Sequence, residues 1–206
     1  IRTEADLRLL VNDREMWRER GELQITDYGI SGIPVFQLSR FAARGMDEGK
    51  KVRVMIDFLP FMDKKESRIF LEQRFAEFGD RNGEDFLTGV LHKKLAAVLL
   101  KMAGIRLDQP VSSASIRQRE HLLRAIKEYE ALVSSVNPFA NAQVCCGGVD
   151  VREVDPSTME SRLMGDIYFA GEILDVDGIC GGYNLQWAWS SGKAAGCRAA
   201  QKRRQE

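Results

Sequence analysis

One segment near the C-terminus constrains the fold of this chain more than any other. Apolar residues 167–170 lead into Gly171 and Glu172, a loop with two aspartates follows, and a long run then opens at Gly181. The pattern predicts a buried strand over residues 167–172, an acidic and glycine-rich turn, and a helix that continues to about residue 202. A strand end, an acidic turn and a helix N-terminus should therefore lie side by side.

A junction of this kind suits the central part of a dinucleotide. Glycine lets the main chain approach a ligand closely. A carboxylate at a strand end can accept hydrogen bonds from ribitol or ribose hydroxyls, and a helix N-terminus offers unpaired N–H groups to an oxygen that becomes negative when a flavin is reduced. The same unit also fits a plain structural turn with a helix cap, and composition does not decide between the two.

Composition narrows the choice of partners. The 30 basic and 30 acidic residues give a net charge of zero, so no overall field attracts a nucleic acid or an anionic membrane. The apolar fraction of 44% is that of a globular protein, and no apolar run is long enough to span a bilayer. We expect no nucleic-acid partner and no membrane, with Lys93, Lys94 and the arginines of residues 117–124 on solvated helix faces.

The four cysteines predict neither a metal centre nor a disulfide framework. They lack Cys-x-x-Cys spacing, and the two histidines, His92 and His121, are far apart. Free thiols favour a cytoplasmic protein. The adjacent Cys145 and Cys146 could be a redox pair, but adjacent cysteines form a disulfide only with strain, so inert buried thiols are favoured.

The first sixty residues read as strands around one helix. Strands are predicted over residues 6–11 and 21–26, and a helix over residues 35–43 with Pro34 in its first turn. A further strand over residues 51–59 should place three side chains on one face: Val52, Val54 and Ile56.

The middle of the chain reads as helical. Asp63 and Glu66 form a capping box before a helix that ends near residue 79. Further helices are predicted over residues 87–102, with Gly104 as a left-handed cap, and over residues 115–134. The apolar stripe of the first of these helices consists of Ile69, Phe70, Phe75 and Phe78.

Several separated motifs resemble, in order and approximate spacing, the C-terminal signature of the BaiN/YhiN-like flavoproteins. These are bacterial NAD(P)/FAD-dependent oxidoreductases related to glutathione-reductase-type flavoenzymes. The motifs are GELQITDYGISG at residues 21–32, GGV at 147–149, TMES at 158–161, GEILDVDG at 171–178 and GGYNLQWA at 181–188.

The resemblance implies an α+β fold with an interrupted, glutathione-reductase-like Rossmann domain. Residues 1–59 would be the end of a β-barrel-like insert and the return to the FAD-binding domain, residues 60–139 a helical insert domain, and residues 140–206 the C-terminal segment of the FAD-binding domain. The family's Gly-x-Gly-x-x-Gly phosphate loop does not occur in this sequence, which starts at Ile1 instead of Met. We therefore expect a C-terminal fragment that is inactive alone.

The resemblance also implies one wall of a flavin site. Glu172 would face the ribityl chain, and the N–H groups at the helix start would face the flavin ring. Trp187 and Trp189 are expected to pack the helix on the sheet, and Gly192 and Gly196 to allow a close approach. No catalytic residue and no metal ligand is predicted. The predicted cofactor-binding residues are Gly148, Gly171, Glu172, Asp175, Gly181, Gly182, Tyr183, Asn184 and Leu185.

The function that the resemblance implies is transfer of hydride from NAD(P)H through FAD to a small-molecule acceptor. An alternative is a short, non-catalytic binding or scaffold module derived from a flavoprotein. A third makes the helical segment a nucleic-acid contact. The acceptor, the choice between NADH and NADPH, and the oligomeric state are left open.

Overall fold

The computed structural model describes residues 1–202, and the chain divides into two compact units, Ile1–Val136 and the residues from Asn137 onward. The first unit contains a five-stranded antiparallel sheet with the order β3-β2-β1-β4-β5. Its strands are β1 (Arg2–Val11), β2 (Arg14–Ile25), β3 (Ile30–Ser31), β4 (Val52–Asp57) and β5 (Tyr129–Leu132).

The two longest strands form a hairpin that the sequence only partly predicts. Asn12 and Asp13 connect them with φ of 48° and 66°, as a two-residue hairpin turn requires. The first half of β2, residues 14–19, is mostly charged, and its two apolar residues, Met16 and Trp17, are adjacent, so it has no apolar alternation to indicate a strand. Cross-strand ion pairs line this half instead, such as that between Arg18 Nε and Asp6 Oδ1 at 2.9 Å.

Helices cover the apolar face of the sheet. Alternate residues of β1, Leu7 and Leu9 among them, are buried, and the three predicted inward residues of β4 are buried as well. The helices of this unit are α1 (Ile33–Asp47), α2 (Lys64–Glu77), α3 (Gly83–Phe86), α4 (Lys93–Met102) and α5 (Ile116–Lys127). Sheet and helices share one apolar core, so packing is continuous across residue 59. The assignment of residues 1–59, 60–139 and 140–206 to three domains stays a prediction.

Local capping signals are confirmed. Asp63 Oδ1 accepts from the Glu66 N–H at 2.7 Å, and Glu66 Oε2 accepts from the Asp63 N–H at 2.8 Å. Gly104 ends α4 with a φ of 76°. The apolar stripe predicted on α2 is partly wrong, because Ile69 is exposed and the buried apolar residues of this helix are Leu71 and Phe75.

Two predicted helices are too long. The helix predicted over residues 87–102 begins only at Lys93, because Gly89 turns the chain with a φ of 82° and His92 caps the helix through Nδ1. The helix predicted over residues 115–134 ends at Lys127, and the chain then pairs with β4 as strand β5. There the ring of Tyr129 meets the edge of Phe58 at 5.7 Å between centroids.

The second unit consists of loops, 3₁₀ turns and one long helix, α6 (Tyr183–Lys202). The buried strand predicted over residues 167–172 is wrong. Tyr168 makes a single bridge to Glu160, and Gly171, with a φ of 73°, starts a 3₁₀ turn. Neither α6 nor any other helix in residues 1–202 is long and apolar enough to cross a bilayer. A small core is formed by Val154, Met159, Leu174 and Ala195.

A buried ammonium group joins the sheet of the first unit to its helices. Lys127, at the end of α5, places Nζ 2.6 Å from Asp57 Oδ2. The same group donates to the main-chain oxygens of Leu59, at 2.8 Å, and Met62. All three donors of the ammonium are therefore used inside the fold, and they fix the connection between β4 and α2.

Replacing Lys127 by methionine should lower the free energy of unfolding by roughly 3 kcal/mol or more, because a carboxylate and two carbonyls lose their common partner. The matched control is Lys64→Met. Lys64 lies on the surface 2.7 Å from Glu128, so this change should cost about 1 kcal/mol or less. Urea denaturation of both variants measures the difference, and equal losses would contradict the assigned role.

Candidate functional site

Two acidic side chains predicted to face a flavin hold a neighbouring loop in place. Glu172 Oε1 accepts from the Cys145 N–H at 2.9 Å, and Asp175 Oδ1 accepts from the Gly147 N–H at 2.9 Å. Because both carboxylates bind main-chain donors of the same short segment, residues 145–148 and 172–175 form one local structure. Glu172 and Asp175 are exposed, so each can also meet a ligand from solvent.

The main chains of these two segments pair directly. The Val149 N–H donates to the Ile173 oxygen at 2.8 Å, and the Asp175 N–H donates to the Val149 oxygen at 3.0 Å. Gly148 lies beside this pairing with a φ of 143°, and a Cβ there would collide with the Ile173 oxygen. The pairing by itself accounts for glycine at position 148.

A buried serine attaches this structure to α6. The Gly171 N–H donates to Ser191 Oγ at 2.9 Å, and Ser191 Oγ donates to the Trp187 oxygen at 2.6 Å. The Trp187 indole N–H donates to the Gly171 oxygen at 3.2 Å. Both main-chain polar groups of Gly171, its N–H and its oxygen, are therefore hydrogen-bonded to side chains of α6. Ser191 was not predicted from the sequence, since a mid-helix serine carries no distinctive pattern beyond an aromatic residue four positions earlier.

The start of α6 is an open helix N-terminus. Gly181 and Gly182 precede it with φ of 135° and 92°. The first intrahelical hydrogen bond runs from the Gln186 N–H to the Gly182 oxygen at 3.0 Å, so the N–H groups of residues 183–185 lie ahead of it. Apart from Gly182 and its two chain neighbours, no atom of the described residues comes within 4 Å of the position that a Gly182 Cβ would take. These N–H groups and the positive end of the helix can hold an oxygen that carries negative charge.

Asn184 closes the loop before the helix. Its Oδ1 accepts from the Gly178 N–H at 2.7 Å, and its Nδ2 donates to the Gly178 oxygen at 3.0 Å. The amide therefore ties the loop to the helix start and takes no part in capping the helix N–H groups. Tyr183 and Leu185, on either side, are about 60% exposed.

The nine predicted site residues fall into two groups, both connected to α6. No group of His, Cys, Asp and Glu side chains within residues 1–202 is arranged to hold a metal ion. Beside the site, hydrogen bonds from Arg152 lower the pKa of Asp150 to about 2, so this carboxyl stays ionised at neutral pH and cannot serve there as an acid.

The first of the two groups of predicted site residues lies around the Val149–Leu174 bridge, and the second lies at the start of α6. The first group contains Gly148, Gly171, Glu172 and Asp175, and the second contains Gly181, Gly182, Tyr183, Asn184 and Leu185.

Several packing expectations around the site are wrong. Cys146 is exposed, and Cys145 only half-buried, so they are not a buried thiol pair. Trp187 packs against the small core and not against a sheet, and Trp189 is 67% exposed. Gly192 and Gly196 do not allow a close approach to any described residue, because they lie on the outer side of α6.

Ser191→Ala should release the Gly171 turn from α6, because the Gly171 N–H loses its acceptor at a cost of about 1–3 kcal/mol. We expect faster hydrogen exchange at the Gly171 amide. Ser190→Ala is the control, since that hydroxyl lies on the exposed side and accepts from Gln186 Nε2 at 3.0 Å. Equal exchange in both variants would disprove the role of Ser191.

Gly148→Ala should break the pairing of Val149 with Ile173, because the new methyl group meets main-chain atoms that cannot move aside. Gly147→Ala is the matched control. Gly147 also has a positive φ, of 99°, but no described atom beyond its chain neighbours lies within 4 Å of its Cβ position. Exchange at the Val149 and Asp175 amides should rise in the first variant and change much less in the second. The reverse order would contradict this explanation of Gly148.

The comparisons with known proteins agree on one family. The family described as HI0933-like protein Rossmann domain matches residues 16–198. The chain is 46% identical to the 3-dehydro-bile acid delta(4,6)-reductase of Clostridium scindens over 202 residues, which are 98% of the chain and 49% of that protein.

Two further relatives are named ribosomal RNA dihydrouridine synthase. The chain is 31% identical to the Escherichia coli protein over 172 residues, covering 84% of the chain and 40% of that protein. It is 33% identical to the Haemophilus influenzae protein over 173 residues, covering 84% of the chain and 41% of that protein. The chain therefore spans about half the length of the curated relatives it matches, or somewhat less.

The match over residues 16–198 includes every motif that carried the resemblance and all nine predicted site residues. The structure of the matched residues has mixed α/β content. It contains an antiparallel sheet in the first unit and a helix preceded by two glycines in the second. The chain belongs to the HI0933-like family of Rossmann-domain proteins, the BaiN/YhiN-like flavin oxidoreductases.

Proposed function

We propose that this chain is part of an FAD-dependent reductase that uses NAD(P)H to reduce an activated carbon–carbon double bond. In this proposal residues 140–206 complete an FAD-binding domain that the preceding segments interrupt. The chain alone lacks the phosphate loop and is inactive.

The chemistry named in the relatives supports this reaction. One relative acts on the delta(4,6) unsaturation of a 3-dehydro-bile acid, and dihydrouridine differs from uridine by one reduced ring double bond. In both cases the double bond is conjugated with a carbonyl group, so negative charge develops on oxygen when hydride adds to carbon. The shared class of acceptor is therefore a conjugated carbonyl compound, and a small molecule of this class is our first candidate.

The observation that carries the proposal is the open start of α6. A glycine pair without side chains precedes three main-chain N–H groups that the helix does not use, beside an exposed acidic loop. A flavin carries an oxygen-rich pyrimidine edge that becomes negative on reduction, which fits a helix N-terminus. When bound, FAD would accept hydride from NAD(P)H and deliver it to the acceptor.

The remaining site residues would position these groups. Glu172 and Asp175 hold the segment from Cys145 to Gly148, and Glu172 has a second carboxylate oxygen that can accept from a ribityl hydroxyl. Ser191 keeps the Gly171 turn on α6, so the acidic loop and the helix start move as one. We place Tyr183 and Leu185, which are exposed, against the cofactor or its neighbouring segments.

The test begins with the full-length protein that contains this chain, expressed with FAD available. Flavin absorbance in the purified protein, and FAD released on denaturation, are expected. Oxidation of NADH or NADPH should then depend on a conjugated enone. A colourless full-length protein would refute the proposal and favour a non-catalytic binding or scaffold module.

Gly182→Ala in the full-length protein should weaken FAD binding roughly tenfold, equivalent to about 1.4 kcal/mol, because its methyl group enters the space in front of the helix N–H groups. Gly49→Ala is the control for backbone strain. Gly49 also has a positive φ, of 68°, and open space at its Cβ position, but it lies in the first unit. Fluorescence titration of the apoprotein with FAD measures both, and equal affinities would remove α6 from the site.

A second candidate acceptor is uridine in RNA. The two dihydrouridine synthases match 84% of this chain, including its helical region. This candidate requires a surface that can hold a polyanion, although the chain as a whole carries no net charge.

A further inference from the structure

The outer faces of two helices carry cations without a carboxylate partner among the described residues. Lys94 and Lys101 lie on α4, and Arg117 and Arg124 lie on α5, and all four are exposed. None of the four forms an ion pair with another residue in the described part of the chain. The sequence of α4 contains no acidic residue at all. We call these four side chains the α4–α5 cation face.

Other cations of the same region, unlike these four, form ion pairs with carboxylates. Lys93 Nζ lies 2.7 Å from Glu84, Arg106 Nη2 lies 2.7 Å from Asp108, and Arg68 Nη2 lies 2.9 Å from Glu120. The unpaired cations therefore reflect a local excess of positive charge. Residues 60–127 contain 13 basic and 9 acidic residues, a net charge of +4, which the remaining residues cancel.

On each of the two helices, the two cations lie on the same side of that helix. Each pair is seven residues apart, which is about two turns or roughly 10 Å along the helix. Both helices bury their opposite faces in the core, for example through Leu99 and Ile126. Gln118 Nε2 donates to the Gly104 oxygen, so the first turn of α5 meets the chain just after the end of α4.

We propose that the α4–α5 cation face binds the phosphate backbone of a folded RNA. This inference rests on the second candidate of the proposed function, in which the acceptor that the flavin site reduces is uridine in RNA. Unpaired lysine and arginine side chains gain most from phosphates, because binding releases the counterions condensed on the nucleic acid. From the sequence we expected these lysines and arginines to lie on solvated helix faces. The zero net charge of the whole chain does not reveal that unpaired cations are concentrated on α4 and α5.

The experiment uses full-length protein with FAD and a fluorescein-labelled ribosomal RNA stem–loop. The variant K94Q/K101Q/R117Q/R124Q should bind this RNA roughly tenfold or more weakly. The slope of log affinity against log salt should fall by about 1 for each phosphate that the variant no longer binds. Circular dichroism and thermal melting should match the unmodified protein, which excludes unfolding as the cause.

A second variant removes the same number of positive charges, but from residues that form ion pairs. K64Q/R68Q/K93Q/R106Q neutralises four cations that already have carboxylate partners, so it should bind RNA almost as well as the unmodified protein. Equal weakening by both variants would mean that only net charge matters and would overturn the assignment. Binding of phosphatidylserine vesicles, but not RNA, through the four unpaired cations would also overturn it.

The outcomes separate the two proposals. RNA binding that depends on the α4–α5 cation face in a protein without flavin would sink the proposed reductase and leave the surface standing. A flavin-containing reductase that binds no RNA would support the proposed reductase and overturn the assignment of the α4–α5 cation face.

Discussion

The first unit depends on pairing one buried positive charge completely. Burial of an ammonium group is costly unless each of its donors finds an acceptor, and Lys127 meets this condition with one carboxylate and two main-chain oxygens. Those acceptors belong to the end of β4 and to the chain that leads into α2. The pairing therefore attaches the end of α5 to the end of β4 and to the chain that leads into α2.

In the second unit, a neutral buried group, the hydroxyl of Ser191, is also fully hydrogen-bonded. It has only a small apolar core, so directed hydrogen bonds do much of the positioning. Ser191 accepts from one main-chain group and donates to another, and two exposed carboxylates hold the segment from Cys145 to Gly148. Residues that the family resemblance assigns to a ligand thus also have structural partners. Glycine at position 148 is explained by main-chain pairing, whereas the open space at Gly182 has no such explanation within the described residues.

Charge is distributed in a way that neither composition nor ion-pair content reveals alone. Across the outer face of the sheet, cations and anions alternate and pair, as Arg18 does with Asp6. On α4 and α5 the four cations of the α4–α5 cation face remain unmatched within the described residues. The first arrangement orders a polar strand, and the second is the basis of the proposed contact with phosphate. A neutral chain can therefore present one face to phosphate.

Sequence by itself determined the features that depend on near neighbours. The Asp63–Glu66 capping box, the left-handed cap at Gly104, the inward face of β4 and the helix after Gly182 were all predictable, because each is set within a few residues. Motif order also identified the family. Only the tertiary structure decided that residues after Lys127 form a strand, that the polar half of β2 pairs with β1, and that residues 167–172 form no strand. In each case a distant partner outweighs the local pattern: β4 recruits β5, Asp6 orders β2, and Ser191 holds Gly171 in a turn.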